Sequence, residues 1–460
     1  MTRREQNFES YLDDEDAHDV HHRAKRRRRT LGLMSAVASI AATIASIPGR
    51  ISNYHGRLPG ASTVKRKRLD VDSYVKTIPD RCFCRRHRMD KESFYNLVDI
   101  LSPHLPSTGE QRSTPGSVPN GPITHSARVS MALRIAAGGD PLDIASFYGV
   151  NDYEPMNSFW DIVDAINQAE QLNIEFPRCH EEQEKIAEGF RRKSEIDIDC
   201  CVGAIDGVLI WIHKPTDADC GSMGFGPVKF FCGRKKKFGL NMQAVCDANR
   251  RFLWIEIRYP ASTSDFFAFQ QSSLKEQLEA ADFLRKGLCL FGDAAYVTTP
   301  YMCSPYRSAT GEKDDFNFFQ SQLRINIECA FGMLVHRFGI LRGPFPKGAT
   351  IEKTSAAVLA LCKLHNYCIA DSIDAMEAKD TKKIMLDGGM LLPRIDGRDA
   401  DKWVYDSAHD RLDDLLDGGE HCDDHTYDDR RKYRHEIDLP NERILEHIVA
   451  EGHRRPDRRS

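Results

Sequence analysis

The chain has 460 residues, of which 41% are hydrophobic and 29% charged, and its formal net charge is −4. This composition is that of a chain that buries a core, and the length predicts two or three domains. The 14 cysteines include no Cys-x-x-Cys pair, which excludes a zinc ribbon and favours free thiols in a reducing compartment. The small net charge conceals basic and acidic segments, so partners have to be inferred from local charge.

The first 70 residues combine basic runs with one uncharged stretch. Arg23–Arg29 is typical of a nuclear-import signal or a nucleic-acid contact, and equally of a solvated tail. Residues 31–47 carry apolar side chains at steps of three and four, which predicts a helix that packs on a partner or on a second copy of the chain. A membrane span needs about 20 strongly apolar residues, so we predict none. Residues 1–70 are therefore predicted to be a largely disordered tail with one helix.

Helical patterns continue over residues 71–170 and predict a small all-α domain. Asp140 opens a helix that turns at Gly149, and a further helix at 153–168 completes a helix-turn-helix-like arrangement. However, the stretch from Ile135 to Pro177 contains no Lys or Arg, whereas duplex binding depends on neutralising phosphates. We therefore favour a three-helix packing unit over a helix that reads bases.

The chain becomes strongly apolar after a linker at 171–199, which holds one amphipathic helix, 181–192. Residues 200–212 are apolar on both alternating faces, which predicts a strand buried on both sides of a sheet. Asp206 interrupts this strand, and a lone carboxylate there is costly unless it is paired or binds a metal. The alternative is an aspartate at a strand end that caps a turn with Gly207.

The following segments predict a mixed sheet with flanking helices. The expected elements are, in order, strands 238–246 and 252–258, a helix at 265–274 and a fourth strand at 288–291. This order opens a ribonuclease-H-like α/β domain, predicted over residues 200–370. In a sheet of this order the first and fourth strands can be neighbours. Asp206 and Asp293, which follows the fourth strand, are therefore expected to lie together.

A long helix at 317–338 supplies a third carboxylate. Its predicted buried stripe consists of five apolar residues, Leu323, Ile327, Phe331, Leu334 and Phe338. Glu328 lies one residue off this stripe, from where its side chain can reach a site on the sheet. The alternative is a surface glutamate paired with Arg324, four residues earlier, which contributes a few tenths of a kcal/mol.

Three carboxylates in this order fit phosphoryl-transfer chemistry with divalent metals. Hard oxygen ligands suit Mg²⁺ or Mn²⁺. Two ions about 3.5–4 Å apart stabilise the attacking and leaving oxygens of an in-line displacement. The nucleophile would be water or a DNA 3′-hydroxyl.

Five motifs then occur in a fixed order and resemble one family. They are Gly203-Ala-Ile-Asp-Gly207, Asn241-Met-Gln-Ala-Val-Cys-Asp247, Gly292-Asp-Ala-Ala-Tyr296, Arg324-Ile-Asn-Ile-Glu-Cys-Ala-Phe-Gly332 and Leu364-His-Asn366. The chain resembles the DDE transposases of the PIF/Harbinger superfamily and the host proteins derived from them. The resemblance covers residues 200–370 strongly and 75–170 more weakly.

The resemblance implies that Asp206, Asp293 and Glu328 are the catalytic and metal-binding triad, with 34 residues between the second and third members. It implies staggered cutting at transposon ends, strand transfer into target DNA, a nuclear location and a Myb-like DNA-binding partner. The chain departs from the family pattern at Ala294 and Ala295, where Ser-Gly is common. It departs also before Asp265, which is predicted to be a helix cap or an accessory carboxylate.

Basic side chains outside the triad are candidates for contacts with DNA phosphates. A run that precedes the second strand, Arg234, Lys235, Lys236 and Lys237, is predicted to form a basic hairpin, with a plain solvated turn as the alternative. Arg324 and Arg337 lie on the helix that carries Glu328. His365 is expected to be a packed, hydrogen-bonded histidine. Residues 371–460 are predicted to be a charged, partly disordered tail.

Three hypotheses follow for the function. The first is a metal-dependent DNA endonuclease and strand transferase that uses the triad. The second is a host-retained nuclear protein that binds DNA or protein with the same fold and has no turnover. The third is a ribonuclease or junction nuclease on the same fold, which we favour least because it leaves the later motifs unexplained.

Overall fold

The computed structural model describes residues 67–106, 122–220, 224–346, 348–377 and 439–456. The described residues fall within one compact unit that begins at Arg66. The helix predicted at 31–47 and the basic run Arg23–Arg29 lie outside the described residues. Most of the predicted C-terminal tail, 378–438, does so as well.

Six α-helices lie within residues 71–168 of the described chain. They are α1 (Val71–Thr77), α2 (Asp80–His87), α3 (Lys91–Leu101), α4 (His125–Ala136), α5 (Pro141–Tyr148) and α6 (Glu154–Gln168). As predicted, Asp140 caps α5, because its carboxylate accepts the backbone N–H groups of Leu142 and Asp143 at 2.8 and 3.1 Å. Gly149 ends the helix in the left-handed conformation with φ of 64°.

Acidic residues of α6 are used inside the fold. Arg128 on α4 is nearly buried and pairs with Asp161 at 2.8 Å and Glu154 at 3.6 Å. These contacts join α4 to α6 and agree with a packing role for the three helices. The helix-turn-helix-like domain itself stays a prediction.

The sheet is mixed and contains six strands. The strands are β1 (Cys201–Trp211), β2 (Phe231–Cys232), β3 (Lys237–Cys246), β4 (Phe252–Pro260), β5 (Cys289–Phe291) and β6 (Met302–Cys303). β3 pairs antiparallel with β1, β2 and β4. β5 runs parallel to both β1 and β6. The first and fourth strands predicted from the sequence are β1 and β5. They are neighbours in the sheet, which confirms the prediction.

Helices cover both faces of this sheet. α7 (His180–Arg191), α9 (Asp265–Gln270) and α10 (Ser273–Glu279) pack on the face that carries Ile205, Val245 and Leu290. The single helix predicted at 265–274 is therefore wrong in detail. The segment forms two helices because Ser272 caps the second of them, α10. Its hydroxyl accepts the backbone N–H of Lys275 at 3.1 Å. A short helix, α8 (Asp217–Cys220), follows β1.

The opposite face carries Ala204, Ala244 and Phe291 and packs against α11 (Glu312–Arg337). All five residues of the predicted stripe on this helix are buried. The alternation of strand side chains thus assigns each β1 residue to one of two helical layers.

The last long helix, α12 (Ile351–Glu377), joins the helical part to the sheet part. It packs against α6, and the amide of Asn167 donates a hydrogen bond to the carbonyl oxygen of Ala356 at 2.9 Å. The ammonium of Lys363 donates to the carbonyl oxygen of Asn167 at 3.2 Å and to the side chain of Asn173 at 3.0 Å. The described residues therefore share a continuous core across the predicted boundary at 171–199.

The end of the chain returns to the core as helix α13 (Pro440–Ala450). Ile444 and Ile448 are buried against the unit. Beyond the helix, Arg454 pairs with Asp315 of α11 at 3.1 Å. This part of the predicted tail is thus a packed segment.

Within the described ranges, no helix is long and apolar enough to cross a membrane. The 13 cysteines of this part of the chain are all free thiols, as predicted.

Candidate active site

Strand register brings Asp206 and Asp293 to the same side of the sheet. Ala204 of β1 pairs with Phe291 of β5, and both side chains face α11. Asp206 and Asp293 each lie two residues further along their chains, which keeps them on this face. Asp206 lies in the middle of β1, whereas Asp293 follows the carboxyl end of the parallel strand β5. The register of the two strands therefore brings the two carboxylates together, as the sequence predicted.

The two aspartates differ in exposure and backbone setting. Asp206 is only 2% exposed, and its Oδ1 accepts the backbone N–H of Gly207 at 2.8 Å. Asp293 is partly exposed, and its Oδ1 accepts the N–H of Ala295 at 2.9 Å in the turn after β5. Asp206 is therefore the fixed inner group of the pair, whereas Asp293 lies at the rim.

One face of α11 carries Gln320, Arg324 and Glu328, which follow one another at steps of four. The amide of Gln320 is buried and donates to the carbonyl oxygens of Gly292, at 2.8 Å, and Cys303, at 3.3 Å. Gly292 directly precedes Asp293. This bond fixes the helix face against the end of β5.

Arg324 and Glu328 form an ion pair through Nη1 and Oε1. Their side chains are only 17% and 21% exposed. The pairing that the sequence offered as the alternative for Glu328 is present, but it lies in the interior layer and not on an open helix surface. Burial opposes the charge of Arg324, yet the carboxylates of Glu328, Asp206 and Asp293 together keep its pKa above the ordinary value. All three predicted triad members thus act on one guanidinium.

Asp265 belongs to the other face of the sheet. Its carboxylate accepts the amides of Gln243 at 2.8 Å and Asn241 at 3.1 Å, and a Cβ on Gly207 would overlap it. Gly207 and Asp206 are consecutive in β1, so they face opposite sides. Ser264, rather than Asp265, caps α9. Asp265 is therefore neither the cap nor a neighbour of Asp206 on the triad face.

Gln243 extends this network to the turn after β5. The hydroxyl of buried Tyr296 donates to its Oε1 at 2.6 Å, and the backbone N–H of Tyr296 donates to the carbonyl oxygen of Asp293 at 3.2 Å. The sequence reading missed Tyr296 and Gln320 as supporting residues. Tyr296 was visible as the last residue of the Gly292–Tyr296 motif, and Gln320 as the residue one helical turn before Arg324.

The predicted basic hairpin is formed by β2 and β3. Arg234 and Lys236 in its turn are exposed, and Lys237 places its ammonium 4.8 Å from the centre of the Trp211 ring. Because Trp211 is five residues beyond Asp206 in β1, the hairpin begins about 17 Å along the strand from that carboxylate. Lys235 in the turn is half-buried.

Two further arginines have defined backbone contacts. Arg337 donates to the carbonyl oxygen of Arg88 at 3.2 Å, which ties the end of α11 to the end of α2. Arg307 is exposed and donates to the carbonyl oxygen of Ala294 at 3.0 Å, next to Asp293. Arg307 therefore carries a cation at the rim of the site, whereas Arg337 braces the helices.

His365 is fully buried, and one ring nitrogen contacts the carbonyl oxygen of Arg250 at 3.0 Å. The packed histidine predicted from the sequence is present. Burial lowers its pKa to about 3, so it is neutral at physiological pH.

The donor set fits a hard divalent cation in kind, since Asp206, Asp293 and Glu328 offer only carboxylate oxygens. The arrangement is less compact than a metal site. Among the residues that the structure describes, no group of three His, Cys, Asp or Glu side chains is placed to hold an ion. In this arrangement Glu328 is paired with Arg324.

Comparison with known proteins places the three carboxylates inside one family match. Residues 205–366 match the DDE superfamily endonuclease model. A human protein named "Putative nuclease HARBI1" is 25% identical over 329 residues, which cover 70% of this chain and 85% of that protein. An Arabidopsis thaliana protein named "Protein ALP1-like" is 23% identical over 264 residues, covering 54% and 61% of the two chains. No solved structure matches significantly.

The mixed sheet with flanking helices is consistent with the fold of a DDE nuclease. The chain contains a DDE superfamily endonuclease domain at 205–366, and it is homologous to the HARBI1 and ALP1-like proteins. The resemblance to PIF/Harbinger-type transposases is thereby confirmed.

Proposed function

We propose that this protein is a divalent-metal-dependent DNA nuclease of the transposase type that cuts and joins DNA strands. Asp206, Asp293 and Glu328 are the proposed ligands of Mg²⁺ or Mn²⁺. The observation that supports this best is that the register of β1 and β5 and one face of α11 bring the three carboxylates to the same side of the sheet, inside the family match. The relatives named as nucleases support a nucleic-acid substrate.

The side chains have separate roles in this proposal. Asp206 is the inner ligand, since a central strand buried on both faces fixes its backbone. Asp293 and Glu328 close the site from the rim and from α11. Divalent ions held by these three carboxylates would activate the nucleophile and stabilise the leaving oxygen. Gln320 and Tyr296 hold the Asp293 turn from its two sides.

Cations around the site are proposed to hold the DNA backbone. Arg307 lies at the rim beside Ala294, and the β2–β3 hairpin carries Arg234, Lys235 and Lys236 beyond the carboxyl end of β1. Phosphate contacts of this kind fix the position of a duplex without reading its sequence. Arg337 is a weaker candidate, because it is engaged with Arg88.

The proposal is tested by nicking of supercoiled DNA in the presence of Mg²⁺ or Mn²⁺. We expect Asp206→Asn, Asp293→Asn and Glu328→Gln each to lower the rate at least about 100-fold, because each removes a ligand of the reacting centre. The matched control is Glu279→Gln, another glutamate paired with a cation four residues earlier. Nicking that persists in all three triad variants would contradict the proposal.

One observation favours a second candidate function. Arg324 is paired with Glu328, and no three His, Cys, Asp or Glu side chains of the described residues are placed to hold a metal ion. The chain therefore also fits a domesticated DNA- or protein-binding role without turnover. In that case the wild type would bind DNA, fail to nick it with either metal, and bind equally well when the triad is substituted.

The setting in the cell is part of the proposal. We infer a nuclear protein that acts on transposon ends and target DNA, assembles with a Myb-like partner and forms homo-oligomers. The scarcity of cations in the stretch from Ile135 to Pro177 supports the need for a separate DNA-binding partner. Co-purification of a Myb-like protein with the tagged chain tests this point, and a chain that binds transposon ends tightly by itself would contradict it.

A further inference from the structure

Arg324 lies at the centre of the triad face. Gln320, one helical turn before it, is bonded to the carbonyl oxygen of Gly292, and Glu328, one turn after it, accepts its Nη1. The face of α11 between these two contacts therefore lies over the Asp293 end of β5. Arg324 has no freedom to leave this layer without breaking its bond to Glu328 or moving the helix.

The charge balance explains why an arginine occupies this place. Asp206 is 2% exposed, and a buried carboxylate is costly unless a cation compensates it. Asp293 and Glu328 add two more negative charges to the same face, and like charges at short range repel. The guanidinium of Arg324 feels all three carboxylates. Arg324 is thus one positive charge that acts on all three acids.

An ordinary ion pair of the same geometry is available for comparison. Lys275 and Glu279 on α10 also have the cation four residues before the glutamate, at 2.8 Å, with side chains 21% and 33% exposed. Exposed pairs of this kind contribute little to stability. Arg324 differs because its partner Glu328 is also a proposed metal ligand and two further carboxylates act on it.

We propose that Arg324 is the internal counter-cation of the carboxylate site, which holds Glu328 in the metal-free protein and must release it when a divalent cation binds. This inference rests on the proposed metal site. It adds that Arg324 and the metal ion compete for the carboxylate of Glu328. One carboxylate cannot give its oxygens fully to both a guanidinium and an ion. Arg324 is thus a positioning residue that sets the metal affinity.

Two opposite effects of one substitution follow from this competition. Arg324→Gln removes the ion pair with Glu328 and a positive charge that acts on Asp206 and Asp293, so the metal-free protein should unfold at a lower temperature. The same change frees Glu328, so the affinity for Mn²⁺ should rise about 5-fold or more. A residue that only braced the helix would lower both the stability and the affinity.

The experiment uses the full chain and two readouts that need no turnover. Thermal unfolding is measured in EDTA and in Mn²⁺, and Mn²⁺ binding is measured by calorimetry. The expected result is a lower midpoint in EDTA, a larger Mn²⁺-induced rise of the midpoint and tighter binding for Arg324→Gln. Arg324→Lys, which keeps the charge, should restore the midpoint in EDTA. Lys275→Gln is the matched control and should leave Mn²⁺ affinity unchanged.

The outcomes separate this inference from the proposed function. If the wild type binds Mn²⁺ and Arg324→Gln binds it no more tightly, the inference is overturned while the metal site stands. If only the variant binds Mn²⁺, the inference holds and the wild type is not a metal enzyme. If neither protein binds Mn²⁺, both ideas fail.

Discussion

At the scale of single residues, Gly207 leaves room for a carboxylate on the face of the sheet opposite to Asp206. Its neighbour Asp206 faces the triad layer, while the carboxylate of Asp265 lies where a Cβ on Gly207 would project. Gln243 and Asn241 hold Asp265 in that place. The glycine of the Gly203–Gly207 motif is therefore required by close packing and not by an unusual backbone angle.

Gly207→Ala is expected to destabilise the protein by about 1–3 kcal/mol, because the new methyl group must displace a hydrogen-bonded carboxylate. Thermal unfolding measures the effect. Gly226→Ala is the control, since nothing lies within 4 Å of its added Cβ. Asp265→Ala combined with Gly207→Ala should cost less than the sum of the two single changes. A fully additive pair, or a stable Gly207→Ala protein, would contradict this packing.

At the scale of elements, the periodicity of apolar residues predicted the positions of individual helices and strands. Strand β1 and helix α11 were placed within a few residues, and the buried stripe from Leu323 to Phe338 was correct. Pairing of distant segments was not accessible in this way. Strand β6 has two residues and is formed only because Met302 meets Leu290. The role of Gln320 depends likewise on which carbonyl oxygen α11 meets.

The candidate site was predicted in part for the same reason. The acidic residues were found because a charge interrupts or follows an apolar strand, as Asp206 and Asp293 do. Their supporting partners are ordinary polar residues in ordinary patterns, so Gln243 and Tyr296 carry no such signal. The break between α9 and α10 was readable, since Ser272 is a normal helix cap.

Two buried histidines make the helical elements sensitive to acid. Burial lowers the pKa of His365 on α12 to about 3 and that of His87 on α2 to about 4. His87 is bonded to Ser130, whose hydroxyl contacts that of Tyr148 at 2.6 Å. The unfolded chain binds protons at these histidines near pH 6.5, where the folded chain does not.

Stability should therefore fall as the pH drops from about 6.5 towards 4, because the unfolded state takes up more protons. Each histidine contributes about 2 kcal/mol of this loss at pH 5. Chemical denaturation at pH 7 and pH 5 measures it. In His365→Gln the loss should be smaller by that amount, and in His213→Gln, at an exposed position, it should be unchanged. Equal losses in wild type and His365→Gln would refute the assignment.

At the scale of the whole molecule, residues 439–456 pack into the unit that contains the sheet. Helix α13 packs against α11 and β6. Asn441 donates to the carbonyl oxygen of Ser304, and Arg455 donates its backbone N–H to Asp315 at 2.8 Å. These contacts brace the first turns of the helix that also carries Glu328.

Removal of residues 439–460 is expected to destabilise the protein by about 3 kcal/mol or more, since it exposes the surfaces that bury Ile444 and Ile448. Arg454→Ala should cost less than the deletion, because that side chain is 58% exposed and Asp315 still accepts the backbone N–H of Arg455. Thermal unfolding of both proteins measures the contrast. An unchanged midpoint after the deletion would show that the segment does not support the unit.

The central claim is that Asp206, Asp293 and Glu328 hold divalent metal ions. Crystals of the protein grown with Mn²⁺ test it most directly through anomalous difference density. We predict peaks between Asp206 and Asp293, with Glu328 turned from Arg324 towards the ions, and none in Asp206→Asn. Density free of Mn²⁺ at these carboxylates, with the ion pair of Arg324 and Glu328 intact at saturating Mn²⁺, would contradict the claim.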